Sequence, residues 1–158
     1  PVIFVCENNL FSVYTHISQR QPRRSLADLG ITHNIHTVTM DGSDPFAVAD
    51  AFRTLIAEAR RTQRPALIVL DTYRWREHCG VNFDDHLGYR DEKEFLAWKE
   101  KDPVKVAIQT AVTKGLLTQD AIDAMSRNIK QRIEKSFDAA KSAPLPTPEM
   151  ARKYVYAA

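Results

Sequence analysis

Val2-Ile3-Phe4-Val5-Cys6-Glu7-Asn8-Asn9 opens the chain and decides how the rest is read. Five apolar residues, rich in β-branched side chains and without alternation, predict a strand buried on both faces, the pattern of a parallel sheet covered by helices. Polarity begins abruptly at Glu7. Open parallel sheets bind ligands in the crevice beyond the carboxyl ends of their strands. Asn8 and Asn9 fall there, and are the first candidate site.

A second unbroken apolar run, Ala66-Leu67-Ile68-Val69-Leu70 behind Pro65, predicts another fully buried strand. Between the two, Ile35 to Met40 alternates polar and apolar residues, a strand closed by Asp41-Gly42. Ser43 or Asp44 ahead of Pro45 starts a helix, because proline at the first helical position lacks only an N–H that has no helical partner anyway. Phe46, Val48, Ala49, Phe52, Leu55, Ile56 and Ala59 follow at a three-to-four spacing, up to Arg60-Arg61, cations suited to a helix C-terminus. Strand, helix, strand in this order predicts a right-handed parallel crossover. The fold class expected is α/β, a parallel sheet flanked by helices and followed by C-terminal helices.

Residues 10–24 hold no sustained period and contain Ser, Gln, Pro and three Arg, so a long loop is expected there. Ser25 then caps a short helix, Leu26 to Leu29, that Gly30 ends. Residues 71–90 form a second long polar loop. Both loops leave carboxyl ends of buried strands, so in one parallel sheet they converge on one edge. From Asp91 the pattern turns helical: residues 92–101 with Phe95, Leu96 and Trp98, then Asp102-Pro103 to a Gly115 cap. Thr118 begins the longest helix, with Ile122, Met125, Ile129, Ile133 and Phe137 down one face. Pro144, Pro146 and Pro148 prevent a continuous helix in the tail, which is expected to lie as an arm on another surface. The organisation expected is a single partial domain over residues 1–158, with the sheet core and its loops in 1–90 and the helical part and Pro-rich tail in 91–158.

The 158 residues are enough for one domain with a real core, and the 44% hydrophobic and 27% charged residues match an ordinary globular protein. No apolar run approaches the ~20 residues needed to span a bilayer, and no signal-peptide pattern stands at the start, so a cytoplasmic protein without a membrane partner is expected. With 22 basic and 20 acidic residues, the formal charge of +2 argues against a nucleic-acid partner. Cys6 and Cys79 are too few for a disulfide framework or a zinc site. A start on Pro1, without an initiator Met and with an interior-type strand first, points to a fragment of a longer protein.

Three groupings carry candidate chemistry. Asn8 and Asn9 offer neutral amide oxygens beside the Glu7 carboxylate, donors that a hard cation such as magnesium takes; the alternative is that each asparagine ends the strand by bonding its own backbone. His78, with Arg74 and Arg76 nearby, could grip a phosphorylated ligand, or belong to a solvated basic loop. Asp84-Asp85 reads as a polar turn. Cys79 beside His78 invites a nucleophile, but adjacent residues in an extended loop point apart.

In order, these pieces resemble one family. Val-Ile-Phe-Val-Cys-Glu-Asn-Asn at 2–9, Thr15, Met-Asp-Gly-Ser-Asp at 40–44, the strand at 65–70, Thr-Tyr-Arg-Trp-Arg-Glu-His at 72–78, Asp-Asp at 84–85, Tyr-Arg at 89–90 and Asp-Pro at 102–103 resemble the alpha subunit of thiamine diphosphate-dependent 2-oxo acid dehydrogenases of the pyruvate, acetoin or branched-chain type, in its C-terminal portion. In that family a thiamine motif opens with Gly-Asp-Gly and closes with Asn-Asn. The resemblance implies that Asn9 is a magnesium ligand, that the Phe11 carbonyl completes the shell, and that the Gly-Asp-Gly half lies upstream of these residues. It implies that His78 contacts the diphosphate and helps the acyl intermediate react onward, with Tyr73, Arg74, Tyr89 and Arg90 framing that loop. Two positions depart from the pattern: Glu77, where Gly is usual, and Tyr14, where a small residue precedes Thr15.

The activity implied is oxidative decarboxylation of a small 2-oxo acid, or acetoin cleavage, with thiamine diphosphate and Mg2+, and acyl transfer to a lipoyl-bearing acyltransferase. The partner implied is a beta chain in an α2β2 heterotetramer, which supplies the aminopyrimidine end of the site. The stripe from Ile122 to Phe137 and the Pro-rich tail would then serve partly as interface. Two other readings stand beside this one: a transketolase-like carboligase on the same fold, and a non-catalytic α/β module that binds a partner through these loops.

Overall fold

The computed structural model describes residues 1–153 and 155. Three strands, β1 (Ile3–Asn8), β4 (His36–Asp41) and β5 (Ala66–Asp71), form a parallel sheet in the order β1-β5-β4. The crossover from β4 to β5 is α3 (Pro45–Thr62), which starts as its sequence dictates. The Asp44 carboxylate accepts from the N–H groups of Phe46 at 2.9 Å and Ala47 at 3.2 Å, and Pro45 follows it. Gln63 ends the helix in the left-handed conformation.

Side chains alternate across β5, and each face meets a helix. Ala66, Ile68 and Leu70 join Leu55 of α3 in the buried core, with Ile3, Val38, Met40, Val48 and Phe52 around it. Ile68 is wholly removed from solvent, a burial that contributes about 1.5–3 kcal/mol. On the opposite face lies α2 (Ala27–Thr32), whose Gly30 presses on Thr37 and Leu67. Gly30 therefore does not end a helix over 26–29, as its residue type suggested. It sits inside a longer helix, at the point where only a hydrogen in place of a Cβ lets the backbone approach the sheet. Ser25 is not the cap either: Leu26 holds that position without a side-chain bond, and the Ser25 hydroxyl, one residue earlier, accepts from the Ala27 N–H at 3.2 Å.

Two further expectations are corrected. The β1 strand is not buried on both faces: Phe4 and Val5 are about half exposed, at 51% and 49%. Among the described residues only β5 flanks β1 in the sheet, whereas β5 has a strand on either side and is covered more fully. Residues 10–24 are not one irregular loop either. They hold a small antiparallel pair, β2 (Phe11–Ser12) and β3 (Thr15–His16), and a short helix, α1 (Ile17–Arg20). Val13, in the reversal between β2 and β3, stands at φ 54°, and Leu10, just before β2, at φ 66°, which no periodicity signals.

The described chain divides into two units, Pro1–Ala111 and the residues from Val112 on. The first also contains a 3₁₀ turn at Asp85–Leu87, α4 (Glu92–Glu100) with Phe95 buried, and most of α5 (Pro103–Thr113). The second holds α6 (Gln119–Ser142), capped by Thr118, and α7 (Pro148–Lys153). Along α6, Ile122 is buried while Met125, Ile129, Ile133 and Phe137 are exposed. In the tail Leu145 is 91% exposed. Among the described residues no helix is long and apolar enough to cross a membrane.

Candidate functional site at the carboxyl edge of the sheet

Asn8, Asp71 and Asp41 stand side by side as the last residues of the three parallel strands. Asn8 spends its side chain on this edge, donating from Nδ2 to Asp71 Oδ1 at 2.9 Å while its Oδ1 accepts from the Leu10 N–H at 3.2 Å. Asn9 Oδ1 accepts from the Phe11 N–H at 2.9 Å, a local turn that ends the strand. Asp41 accepts from both the N–H and the hydroxyl of Ser43 and lies 3.3 Å from Lys101 Nζ. The Ser43 hydroxyl holds its carboxyl below the usual range, against burial, with Lys101 adding to the effect. Neither Asp71 nor Asp41 was a sequence candidate. A carboxylate ending a strand carries no signal until the register lines it up with its neighbours.

The two long loops do meet at this edge. The Thr72 N–H donates to the Asn8 carbonyl at 3.0 Å, starting the second loop against the first. Arg74 then reaches across: its guanidinium donates to the Val13 carbonyl at 2.8 Å, the Tyr89 hydroxyl at 3.0 Å and the Arg76 carbonyl at 3.1 Å. Phe11 and Tyr14 pack edge-on to the Tyr89 ring, at 5.6 and 5.0 Å between centroids. Tyr14, one of the departures from the family pattern, thus fills a place against the second loop.

The centre of that loop is an ion pair that the sequence hid. Asp84 is 2% and Arg90 6% exposed, and their side chains are hydrogen-bonded to each other. Arg90 also donates to the Arg74 carbonyl, and its guanidinium lies over the Tyr73 and Tyr89 rings. The Tyr89 hydroxyl donates to the second Asp84 oxygen at 2.6 Å. Burial pushes the Asp84 carboxyl up, but Tyr89, Arg90 and Arg74 together outweigh it and hold it below the usual carboxylate range. Burial raises the Tyr73 and Tyr89 hydroxyls. Gly88, at φ 76°, turns the chain so that Tyr89 and Arg90 come back onto Asp84. Asp84 is therefore the anchor of the loop, where its sequence reads only as a polar turn.

His78 stands apart from this anchor, exposed on a turn that the Arg76–Phe83 bridge closes. Arg74 and Arg76 do not form a shared grip with it. Arg74 ties the two loops, and Arg76 donates to the Val81 carbonyl with its guanidinium 4.2 Å from the Phe83 ring centroid. Cys79 is exposed beside His78. Tyr73 leads the other way, stacked on Trp98 with 5.9 Å between centroids. Its hydroxyl and the Trp75 indole N–H are buried without a hydrogen-bond partner, beside a cavity of about 120 Å3 that Thr72, Trp98 and Lys101 also line. A larger hollow of about 270 Å3, around Asn34, His36, Glu58 and Arg64, opens at the amino ends of β4 and β5. It is remote from the strand ends that carry the candidate residues.

Among the described residues no three His, Cys, Asp or Glu side chains gather to hold a metal ion. The donors that the first turn offers are the Asn9 amide oxygen and main-chain carbonyls such as that of Phe11, the neutral hard oxygens that suit magnesium when phosphate and water complete its shell.

Known proteins agree with this architecture. The family described as "Dehydrogenase E1 component" matches residues 1–149. The chain is 32% identical over 157 residues to the 2-oxoisovalerate dehydrogenase subunit alpha of Bacillus subtilis, covering 99% of this chain and 47% of that protein. It is 25% identical over 146 residues to the pyruvate dehydrogenase E1 component subunit alpha of Rickettsia conorii, covering 92% and 44%. It is 32% identical over 145 residues to the mitochondrial 2-oxoisovalerate dehydrogenase subunit alpha of Caenorhabditis elegans, covering 89% and 32%. The chain thus spans less than half the length of these curated relatives. With a parallel sheet whose two long loops join at the strand ends, and a match over nearly all its residues, the chain belongs to the dehydrogenase E1 component family, in the alpha-subunit branch.

Proposed function

We propose that this chain is the part of an E1 alpha subunit that anchors the diphosphate half of thiamine diphosphate, for oxidative decarboxylation of a 2-oxo acid and acyl transfer to a lipoyl carrier. The observation that carries the reading is the junction of the two loops: the Asn9–Phe11 turn and the His78 loop start on adjacent strands and are tied by Arg74 to Val13. Asn9 and the Phe11 carbonyl fit the magnesium that neutralises a diphosphate, once the Asn9 oxygen exchanges its Phe11 N–H for the cation. Thiamine diphosphate, when bound, supplies the electron sink for decarboxylation; the protein supplies binding, orientation and electrostatics. The buried Asp84–Arg90 pair fixes the loop base, and His78 on the exposed turn would donate a hydrogen bond to the diphosphate or carry a proton.

A beta chain completes the site in this proposal. The exposed stripe Met125, Ile129, Ile133 and Phe137 supports it, as apolar surface of the kind that subunit interfaces cover. The test is calorimetry on the full-length protein assembled with its partner. Thiamine diphosphate with magnesium is expected to give binding heat that N9A abolishes, and H78A is expected to lower turnover by about 10²–10⁴-fold without moving the melting temperature. Binding heat unchanged by N9A sinks the metal role of Asn9; a melting temperature that falls in step with turnover makes His78 structural.

A further inference from the structure

We propose that Glu77 is a positioning residue for His78, bracing from within the turn that presents the imidazole. This rests on the role given to His78 above. The turn is stapled at its base, where the Arg76 guanidinium donates to the Val81 carbonyl and the Glu77 N–H donates to the Asn82 carbonyl at 2.9 Å. Inside, Glu77 Oε1 accepts from the Asn82 side-chain amide at 2.8 Å and from the Asn82 N–H at 3.3 Å. The same oxygen fills the space beside Gly80: a Cβ there would lie 1.9 Å from Oε1 and 2.8 Å from the carboxylate carbon. Carboxylate and glycine are therefore complementary, one occupying the hollow that the other leaves.

A charged acceptor holding two N–H donors is a stronger tie than a neutral one. It spans residues 78–81 from both sides, so the backbone on which His78 sits is fixed while its ring remains exposed. Pre-ordering the turn removes an entropy cost that a loose loop would bear each time its histidine meets the reacting groups.

The test uses the full-length enzyme with its partner chain and compares turnover of E77A, E77Q, H78A and the E77A/H78A double variant, together with amide hydrogen exchange at Asn82. E77A is expected to lower kcat about tenfold or more, and E77Q, which keeps an acceptor oxygen, to recover most of it. In the H78A background E77A is expected to change kcat by less than about twofold, since the two residues act as one unit. Asn82 amide exchange is expected to be about tenfold faster in E77A, the size of one lost hydrogen bond. Equal losses from E77A in both backgrounds, or an E77Q as impaired as E77A, overturn the positioning role. Exchange at Asn82 that is indifferent to Glu77 overturns the brace itself even where His78 is active. Full turnover in H78A instead removes the function proposed for His78 and the positioning role with it, so the two failures read apart.

Discussion

The guanidinium of Arg74 donates to the main-chain carbonyl of Val13 at 2.8 Å, and this one bond joins loops whose sequences lie far apart. Arg74 makes two further bonds, to Tyr89 and Arg76, so no shorter cation reaches all three acceptors. Arg74→Ala is expected to cost about 0.5–1.5 kcal/mol, the net worth of a part-buried bond to Tyr89 with two exposed carbonyls returned to water. Hydrogen exchange should rise in residues 10–16 and 74–90 together. A rise confined to the second loop alone would show that Arg74 does not couple them.

Asp84→Asn removes the charge that Arg90 faces, and leaves a guanidinium buried at 6% exposure. Breaking one partner of such a pair costs about 3–5 kcal/mol where the group stays buried. Urea denaturation measures the global part, and proteolysis within residues 74–90 measures local opening. Wild-type values in both would contradict the anchor role.

Acid should act through the same residue. The Asp84 carboxyl titrates below its unfolded value of about 3.9. The unfolded state then binds more protons between the two values, so stability is fully present above about pH 4 and is lost as pH falls through the folded pKa. Asp41 is shifted in the same direction. Denaturation midpoints followed from neutral pH downwards should decline less steeply in Asp84→Asn than in wild type. Parallel curves would remove Asp84 from the acid response.

Gly30→Ala places a Cβ 2.1 Å from Thr37 Oγ1 and 2.9 Å from Leu67 Cδ2. Overpacking of this kind costs about 1–3 kcal/mol. Measured melting should fall, whereas an alanine that only improved helix propensity would raise it.

Asp44→Ala removes the cap of α3 and should cost about 1 kcal/mol in urea, with the site geometry unchanged. A negligible loss would mean that Pro45 alone sets the helix start.

Periodicity and punctuation made much of this fold readable. The Asp44-Pro45 start, the apolar stripe of α3 and the unbroken run of β5 each act through neighbours in sequence, so their structural meaning is local. Phe4 shows where that ends, since its exposure depends on which strands stand beside β1. Gly30 shows it again, because a glycine that admits close packing has the same letter as one that ends a helix. In the site, Asn9 ends its strand by a local turn, as its residue type allows. Asp84 and Arg90 owe their pairing to the reversal at Gly88, and nothing in a polar turn announces a buried charge.

The residues that flank β2 have a further consequence. Leu10 and Val13 hold left-handed backbone angles that branched or bulky L-residues avoid, and such residues store roughly 1–3 kcal/mol each. Bonds at both ends keep them there: the Ile17 N–H on the Leu10 carbonyl at 2.7 Å, and Arg74 on that of Val13. The turn is thus a sprung catch, and glycine at position 13 would release it. Glycine keeps the main-chain carbonyl that Arg74 holds, so the exchange relieves the backbone strain and leaves the tie between the two loops in place.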